Sequence, residues 1–326
     1  MKKSKVFAFA GVTLLAATFL AACSGSKDSK SASKKDTTYG YVYTDDPTTL
    51  DYTVSSKASV HDITTNGVDG LLENDKYGNL VPSIAEDWSV SKDGLTYTYK
   101  IRKGVKWYDA DGEEHGEVTA HDFVTGLKHA ADKKSETLPL VQGSVKGLKD
   151  YVDGKITDFS QVGVKAVDDY TLEYTLNQPE TFWNSKTTNG VLMPINGEFL
   201  ESKGDDFGQP GDVKSILYNG PFLLKSITSK SEITFEKNED YWDKDNVHIN
   251  KIKLSYFDGS DQDSLARAFS DGSYTQARLF PASSNFASVE KKYKDNIYNT
   301  QPGAGVAVFG FNIDRQAYNH TSKTSD

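Results

Sequence analysis

Asp93-Gly94-Leu95-Thr96-Tyr97-Thr98-Tyr99-Lys100-Ile101-Arg102 is the stretch that decides the fold class. Tyr97, Tyr99 and Ile101 alternate with Thr96, Thr98 and Lys100, the period-two pattern of a strand with one face buried and the other wet. The Asp-Gly pair at 93–94 supplies the turn that opens it. The same alternation returns at Tyr170, Leu172, Tyr174 and Leu176, at Ile233 with Phe235, and at Ile252, Leu254 and Tyr256. Gly104, Gly112 and Gly154 punctuate these runs as turns. Helices interleave with the strands. Thr119-Ala120-His121-Asp122 fits a capping box, in which two side chains satisfy free N–H groups at a helix start, and Phe123, Leu127 and Ala130 follow at helical spacing. A second helix is expected to open at Ser260 with Asp263 three residues on, placing Leu265 and Phe269 on one face. A third spans Ser283 to Lys294, with Phe286, Val289 and Tyr293 aligned. The mixture is α/β or α+β, with no internal repeat.

The chain of 326 residues has a formal net charge of −9. That balance argues against nucleic acid or anionic lipid as a partner, because both repel it. Cys23 is the only cysteine, so disulfides within the chain are excluded and apolar packing must supply the stability. Tyrosine is common, with 18 residues beside 16 phenylalanines and four tryptophans. Two readings stay open: the rings fill a strand-rich core, or they line a site for something part apolar and part polar.

The amino end carries an address. A basic start (Lys2, Lys3, Lys5) leads into an apolar run from Val6 to Ala22, the layout of a secretory leader. At 17 residues the run sits at the floor of the spanning range, about 17–25, so a transmembrane anchor is disfavoured. Leu20-Ala21-Ala22-Cys23 resembles a lipobox, in which the thiol of Cys23 takes a diacylglycerol and cleavage leaves it as the first residue; the rival is an ordinary signal peptide with an incidental cysteine. Two or more acyl chains hold a protein stably at a membrane. The expected division is a signal peptide at 1–22 and a disordered tether at 23–36, whose Ser/Lys-rich composition holds nothing able to anchor a core. About 13 such residues reach roughly 20 Å.

Catalytic constellations are missing from the sequence. The six histidines form no His-Glu-x-x-His or other close metal spacing. His115, Glu117 and His121 are near in sequence but straddle a turn and a helix start, and His121 and His129 read as solvated helix residues. There is no Gly-x-Ser-x-Gly elbow and no P-loop, and Gly303-Ala304-Gly305 precedes a strand pattern, which makes a poor phosphate cradle. The expectation is no enzyme, no cofactor and no metal.

Several motifs then fall in one order. Ala85-Glu86-Asp87-Trp88 leads to the 93–102 stretch, Gly104-Val105-Lys106-Trp107 and Val118-Thr119-Ala120-His121-Asp122-Phe123-Val124. Tyr170-Thr171-Leu172-Glu173-Tyr174-Thr175-Leu176, Asn219-Gly220-Pro221-Phe222 and Glu236-Lys237-Asn238-Glu239-Asp240-Tyr241-Trp242 follow. Together these resemble the extracytoplasmic oligopeptide-binding proteins that feed ABC transporters (solute-binding family 5), and with the lipobox and tether they are most similar to the Ami/Ali-type lipoproteins of Gram-positive bacteria. The resemblance implies a bilobal, type II periplasmic-binding-protein-like α/β fold with an inserted extra domain. Residues 37–66 and 194–302 would form a discontinuous lobe one, 67–193 the inserted domain, and 303–326 the start of a second lobe that is largely missing. Family members continue well beyond this point, so a fragment or a C-terminally truncated copy is expected.

The resemblance also implies sites. Ser55, Ser56, Lys57 and Ala58 would offer a strand edge to a peptide backbone. Ala277, Arg278 and Leu279 would lie at the hinge side, and Val308 and Phe309 at the opposing wall, with Phe309 closer to core than to contact. Arg278 has two readings, a fork for a ligand carboxylate or a salt bridge to a nearby Asp. Asn219-Gly220-Pro221 reads as a turn into a strand. The implied function is a lipid-anchored monomer on the extracellular face of the cell membrane. It would capture oligopeptides and pass them to a membrane ABC permease. The alternative is a surface lipoprotein that acts as a peptide sensor or adhesin without transport; a third class, a metal-dependent surface hydrolase, predicts bound zinc.

Overall fold

A computed structural model describes residues 37–298. Cys23, the leader, the tether, Gly303-Ala304-Gly305, Val308 and Phe309 lie outside the described residues. In chain order the strands are β1 Thr38–Tyr43, β2 Leu72–Asn74, β3 Leu80–Pro82, β4 Ala85–Val90, β5 Thr96–Ile101, β6 Lys106–Tyr108, β7 Glu114–Glu117, β8 Val164–Asp168, β9 Thr171–Thr175, β10 Phe222–Thr228, β11 Glu232–Lys237 and β12 Lys251–Tyr256. The helices are α1 Ala58–Thr64, α2 Ala120–Asp132, α3 Leu148–Val152, α4 Trp183–Lys186, α5 Gly197–Lys203, α6 Gln262–Ser270 and α7 Phe286–Tyr293.

The 93–102 stretch forms β5, with Tyr97, Tyr99 and Ile101 buried. It lies inside an antiparallel sheet of order β4-β5-β9-β8. Tyr99 faces Leu172 and Tyr97 faces Tyr174 in the β5–β9 register. One face of that sheet takes α2, whose Phe123, Leu127 and Ala130 are all fully buried. The capping box is present: the Thr119 N–H donates to Asp122 Oδ2 at 2.8 Å. Trp107, Trp183, Tyr99 and Tyr174 fill this first core.

The second sheet has the order β1-β12-β11-β10. β1 runs parallel to β12, with Thr38 opposite Lys251 and Tyr43 opposite Tyr256; the other pairs are antiparallel. Leu50, Tyr52, Ile63, Ile216, Tyr218, Leu224, Ile233 and Phe235 fill a second core beneath it. The chain crosses between the cores at a few places. Tyr108 and Ala110 pack in the second core and Leu217 in the first, and Tyr108 and Tyr218 exchange both main-chain bonds at 2.7 and 2.8 Å. Many of the rings are core: Tyr43, Tyr52, Tyr97, Tyr99, Tyr108, Tyr174, Tyr218 and Tyr241 are all buried, while Tyr41 and Tyr43 also border a cavity.

Three expectations need correction. The 262–270 helix is capped one residue later than expected, because the Asp261 carboxylate, not Ser260, accepts the N–H groups of Asp263 and Ser264. The third helix is shorter than Ser283–Lys294. A 3-10 turn takes its end, and its side of Phe286 and Val289 is only half-buried. His129 is not solvated; it is buried, and its Nε2 lies 2.7 Å from Asp51 Oδ2. A partner 78 residues away leaves no trace in helical periodicity.

Candidate functional site

Ligands of open sheets with parallel strands collect at the strands' carboxyl ends. In this chain that place is the end of the β1–β12 pair, and a cavity of about 440 Å³ opens there, within the range of small-ligand sites. Tyr41 to Asp45 form the β1 side, and Leu254, Phe257 and Gly259 the β12 side. α1 contributes Ala58, Ser59, Asp62 and Ile63; α6 contributes Gln262 and Leu265; Arg278 and Phe280 close the rim. The walls are thus mostly apolar, with Asp45 and Asp62 as anions and Arg278 as the cation.

Local sequence explains each placement. Asp46 ties the end of β1 to the β10–β11 turn: its carboxylate accepts from Tyr43 Oη, Ser229 Oγ and the Lys230 N–H at 3.1, 2.5 and 3.1 Å. Partial burial pushes against ionisation there, yet these three donors hold the Asp46 carboxyl below its ordinary value. Burial raises the Tyr41 hydroxyl pKa, with the charge and backbone of Arg278 opposing.

Arg278 makes no ion pair among the described residues. Its guanidinium lies over the Phe280 ring, 4.9 Å from the centroid, and the residue is exposed on the cavity rim. Ala277 and Leu279 flank it in irregular chain. Ser55–Ala58 is not a strand edge. Residues 55–57 lie outside every strand and helix, and Ala58 begins α1. Ser55 is buried, with Ser56, Lys57 and Ala58 exposed. The physical reason is that side chains hold this segment where a ladder would otherwise be needed: Glu136 Oε2 accepts the Ser56 N–H at 2.9 Å and the Ser56 hydroxyl at 2.7 Å. The strand edge that borders the cavity belongs to β1. Its Gly40 main chain is taken by Thr275, through bonds of 3.1 and 2.9 Å. Alternation turns the main-chain groups of Val42 to the same open side, on the cavity wall. Among the predicted residues, then, Ala58 and Arg278 share one cavity although they are far apart in sequence. The Val42 edge was missed, although Tyr39, Tyr41 and Tyr43 alternate with Thr38, Gly40 and Val42 as a strand's residues do.

Asn219 is buried and accepts the Asp69 N–H at 2.7 Å, just before β10 begins, as expected of a turn. His115 approaches Asp109 at 3.4 Å and His121 approaches Asp169 at 3.2 Å; among the described residues no group of three or more His, Cys, Asp or Glu is placed to hold a metal.

Residues 79–322 match the profile described as bacterial extracellular solute-binding proteins, family 5 Middle. The chain belongs to this family. It is 65% identical over 326 residues to the oligopeptide-binding protein AmiA of Streptococcus pneumoniae, a match that covers the whole chain and 49% of AmiA. It is 62% identical over 329 residues to the oligopeptide-binding protein SarA of Streptococcus gordonii, covering the whole chain and 50% of SarA. The chain spans about half the length of the curated relatives it matches. Among solved structures, OppA of Listeria monocytogenes bound to peptide aligns with a TM-score of 0.70 at 29% identity, over 80% of this chain and 49% of that one. The pheromone receptor PrgZ, solved for its mode of peptide binding, aligns with a TM-score of 0.69 at 25% identity, over 80% and 49% of the two chains. Membership of a solute-binding family agrees with the expectation of a protein that is not an enzyme. Among the described residues no helix is long and apolar enough to cross a membrane.

Proposed function

We propose that this solute-binding chain is a lipid-anchored extracytoplasmic monomer that captures oligopeptides and delivers them to an ABC importer. One observation carries the reading: Ala58 and Arg278 lie on a 440 Å³ cavity at the carboxyl ends of a parallel strand pair, beside the β1 edge at Val42, which no described strand pairs. A binder of diverse peptides must grip what all peptides share, the main chain, and an open edge supplies alternating N–H and C=O groups for that. Arg278, held over Phe280 and without an ion pair among the described residues, offers its fork to a carboxylate of the ligand. The names of AmiA and SarA point to the same ligand class. Ser55, Ser56, Lys57, Ala277 and Leu279 serve as the flanks of this wall, and Val308 and Phe309 keep the place at the opposing wall that the resemblance implies, with Phe309 closer to core than to contact.

The division of the body follows the same reading: 37–66 and 194–302 as lobe one, 67–193 as the inserted domain, 303–326 as the start of the opposing lobe. It draws support from the separation of the two cores near residues 67 and 193. Cys23 is the lipidation site. The sensor alternative draws on the likeness to PrgZ and shares the cavity, differing only in the downstream partner.

Intrinsic tryptophan fluorescence titrated with a mixed hexapeptide pool should shift saturably, and Arg278→Gln should weaken binding about ten-fold, the scale of one charge-assisted bond. Silence across the pool would overturn the proposal. Labelled palmitate should enter the wild-type chain in cells and not the Cys23→Ala variant; equal labelling of the two would remove the anchor.

A further inference from the structure

The segment that leads into the Ala58 wall of the cavity is ordered by something other than secondary structure. Residues 53–57 belong to no strand or helix, so no ladder fixes their main chain. Bonds from the C-terminal end of α2 and the residues after it do so. His129 Nε2 lies 2.7 Å from Asp51 Oδ2, with both side chains only 8% exposed. The other oxygen of Asp51 accepts from the Thr53 N–H at 3.1 Å and the Thr53 hydroxyl at 2.7 Å. The Ser135 hydroxyl donates to the Thr53 carbonyl at 2.7 Å, and the Glu136 N–H to the Val54 carbonyl at 2.9 Å. Glu136 Oε2 then takes both donors of Ser56. The Phe207 ring, edge-on at 5.4 Å, holds the imidazole in place.

We propose that the C-terminal end of α2 positions the 53–57 segment that leads into the Ala58 wall of the cavity, through His129 acting on Asp51 and Glu136 acting on Ser56. The physical reason is that a carboxylate closed off from water must keep its donors. Without His129, Asp51 is left half-satisfied, and the turn that it organises has no reason to hold its shape. Both are positioning residues: neither His129 nor Glu136 lines the cavity. The ordering part of the inference stands on the bonds alone; its effect on binding rests on the reading of the cavity as a peptide site.

The test is hydrogen exchange on the full chain, in the wild type and in His129→Phe, His129→Gln and Glu136→Ala. In His129→Phe the amides of Thr53, Ser56 and Lys57 should exchange at least about ten-fold faster while those of β5 and β9 keep their rates. His129→Gln, which retains an N–H donor, should restore the slow rates. Glu136→Ala removes an exposed carboxylate, so it folds even where His129→Phe does not, and should free Ser56. The mixed hexapeptide pool should bind about ten-fold more weakly to His129→Phe and Glu136→Ala than to the wild type, with recovery in His129→Gln. Unchanged exchange at 53–57, a uniform rise across both sheets, or no rescue by glutamine would overturn the inference. Local loosening in a chain whose wild type binds no peptide would support the positioning and sink the binding reading instead.

Discussion

Asp69 sits where the chain passes from the second core into the first, and its chemistry makes the body pH-sensitive. Its carboxylate accepts from the Tyr241 hydroxyl at 2.7 Å. Burial pushes its pKa up to about 7; the Tyr241 bond opposes this and the charges of Glu73 and Asp243 reinforce it. Burial likewise pushes Asp122 up to about 6, against the bonds from Thr119 and the Trp107 indole. For both groups the folded state favours the protonated form. Their contribution is therefore fully present below the ordinary carboxylate value near 4 and is lost as pH rises through 6 and 7. Exposed carboxylates such as Asp93, held below their ordinary value by local hydrogen bonds, act in the opposite sense and lose stability in acid. The melting temperature should thus peak between about pH 4 and 6. Asp69→Asn should raise stability at pH 8, by roughly 2–3 kcal/mol after allowance for the part of Asp69 that stays exposed, and flatten the fall from pH 5 to 8. An unchanged slope in chemical denaturation across that range would contradict the assignment. No signal in the sequence pointed to Asp69 or to the Asp51–His129 pair, because burial of a lone carboxylate depends on partners far along the chain.

The helix α2 shows what sequence can and cannot say about an element. Its start, its apolar face and its capping box were legible, since all three rest on contacts within four residues. Its end and its neighbours were not. The chain leaves α2 through Lys134 at φ +54°, with the Ser135 N–H donating to the Ala130 carbonyl at 2.8 Å and the Lys134 N–H to the Ala131 carbonyl at 3.1 Å. That is a Schellman ending, whose left-handed position suits glycine. Lys134→Gly should stabilise the protein by about 0.5–1 kcal/mol, read as a rise of a few degrees in melting temperature. Gly126 makes the opposite case. A Cβ there would lie 2.1 Å from the Met193 carbonyl oxygen, so Gly126→Ala must push α2 away from the 190–195 segment. A loss above about 2 kcal/mol is expected, and near-neutral behaviour would mean that the close approach is absent. The Ser55–Ala58 segment was misread as a strand for a related reason: its extended chain is fixed by Glu136 and by its own serines, and side-chain scaffolding leaves no periodic pattern.

At the scale of the molecule, two cores share a few narrow crossings, and glycine sets how tightly they close. The alternating strands announced both sheets, and the resemblance placed Ala58 and Arg278, but neither could show that β1 and β12, at opposite ends of the described chain, pair in parallel to frame the cavity. That pairing is non-local and costs loop-closure entropy that only tertiary burial offsets. Tyr108 and Tyr218 bridge the cores by their main chains, and directly beside them Gly67 and Gly220 touch. A Cβ on Gly67 would meet the Tyr218 ring at 2.7 Å and the Phe222 carbonyl at 2.9 Å, and one on Gly220 would meet the Gly67 backbone at 2.8 Å. The Asn219 side chain holds the same junction by accepting the Asp69 N–H. If this junction couples the cores, damage there cannot stay in one of them. Gly67→Ala should lower the melting temperature and speed hydrogen exchange in β5 of the first sheet as well as β11 of the second, by comparable factors. Faster exchange in β11 alone would mean that the cores open independently, and the cavity, none of whose lining residues belongs to the first core, would then keep the peptide affinity proposed for it while the first core melted.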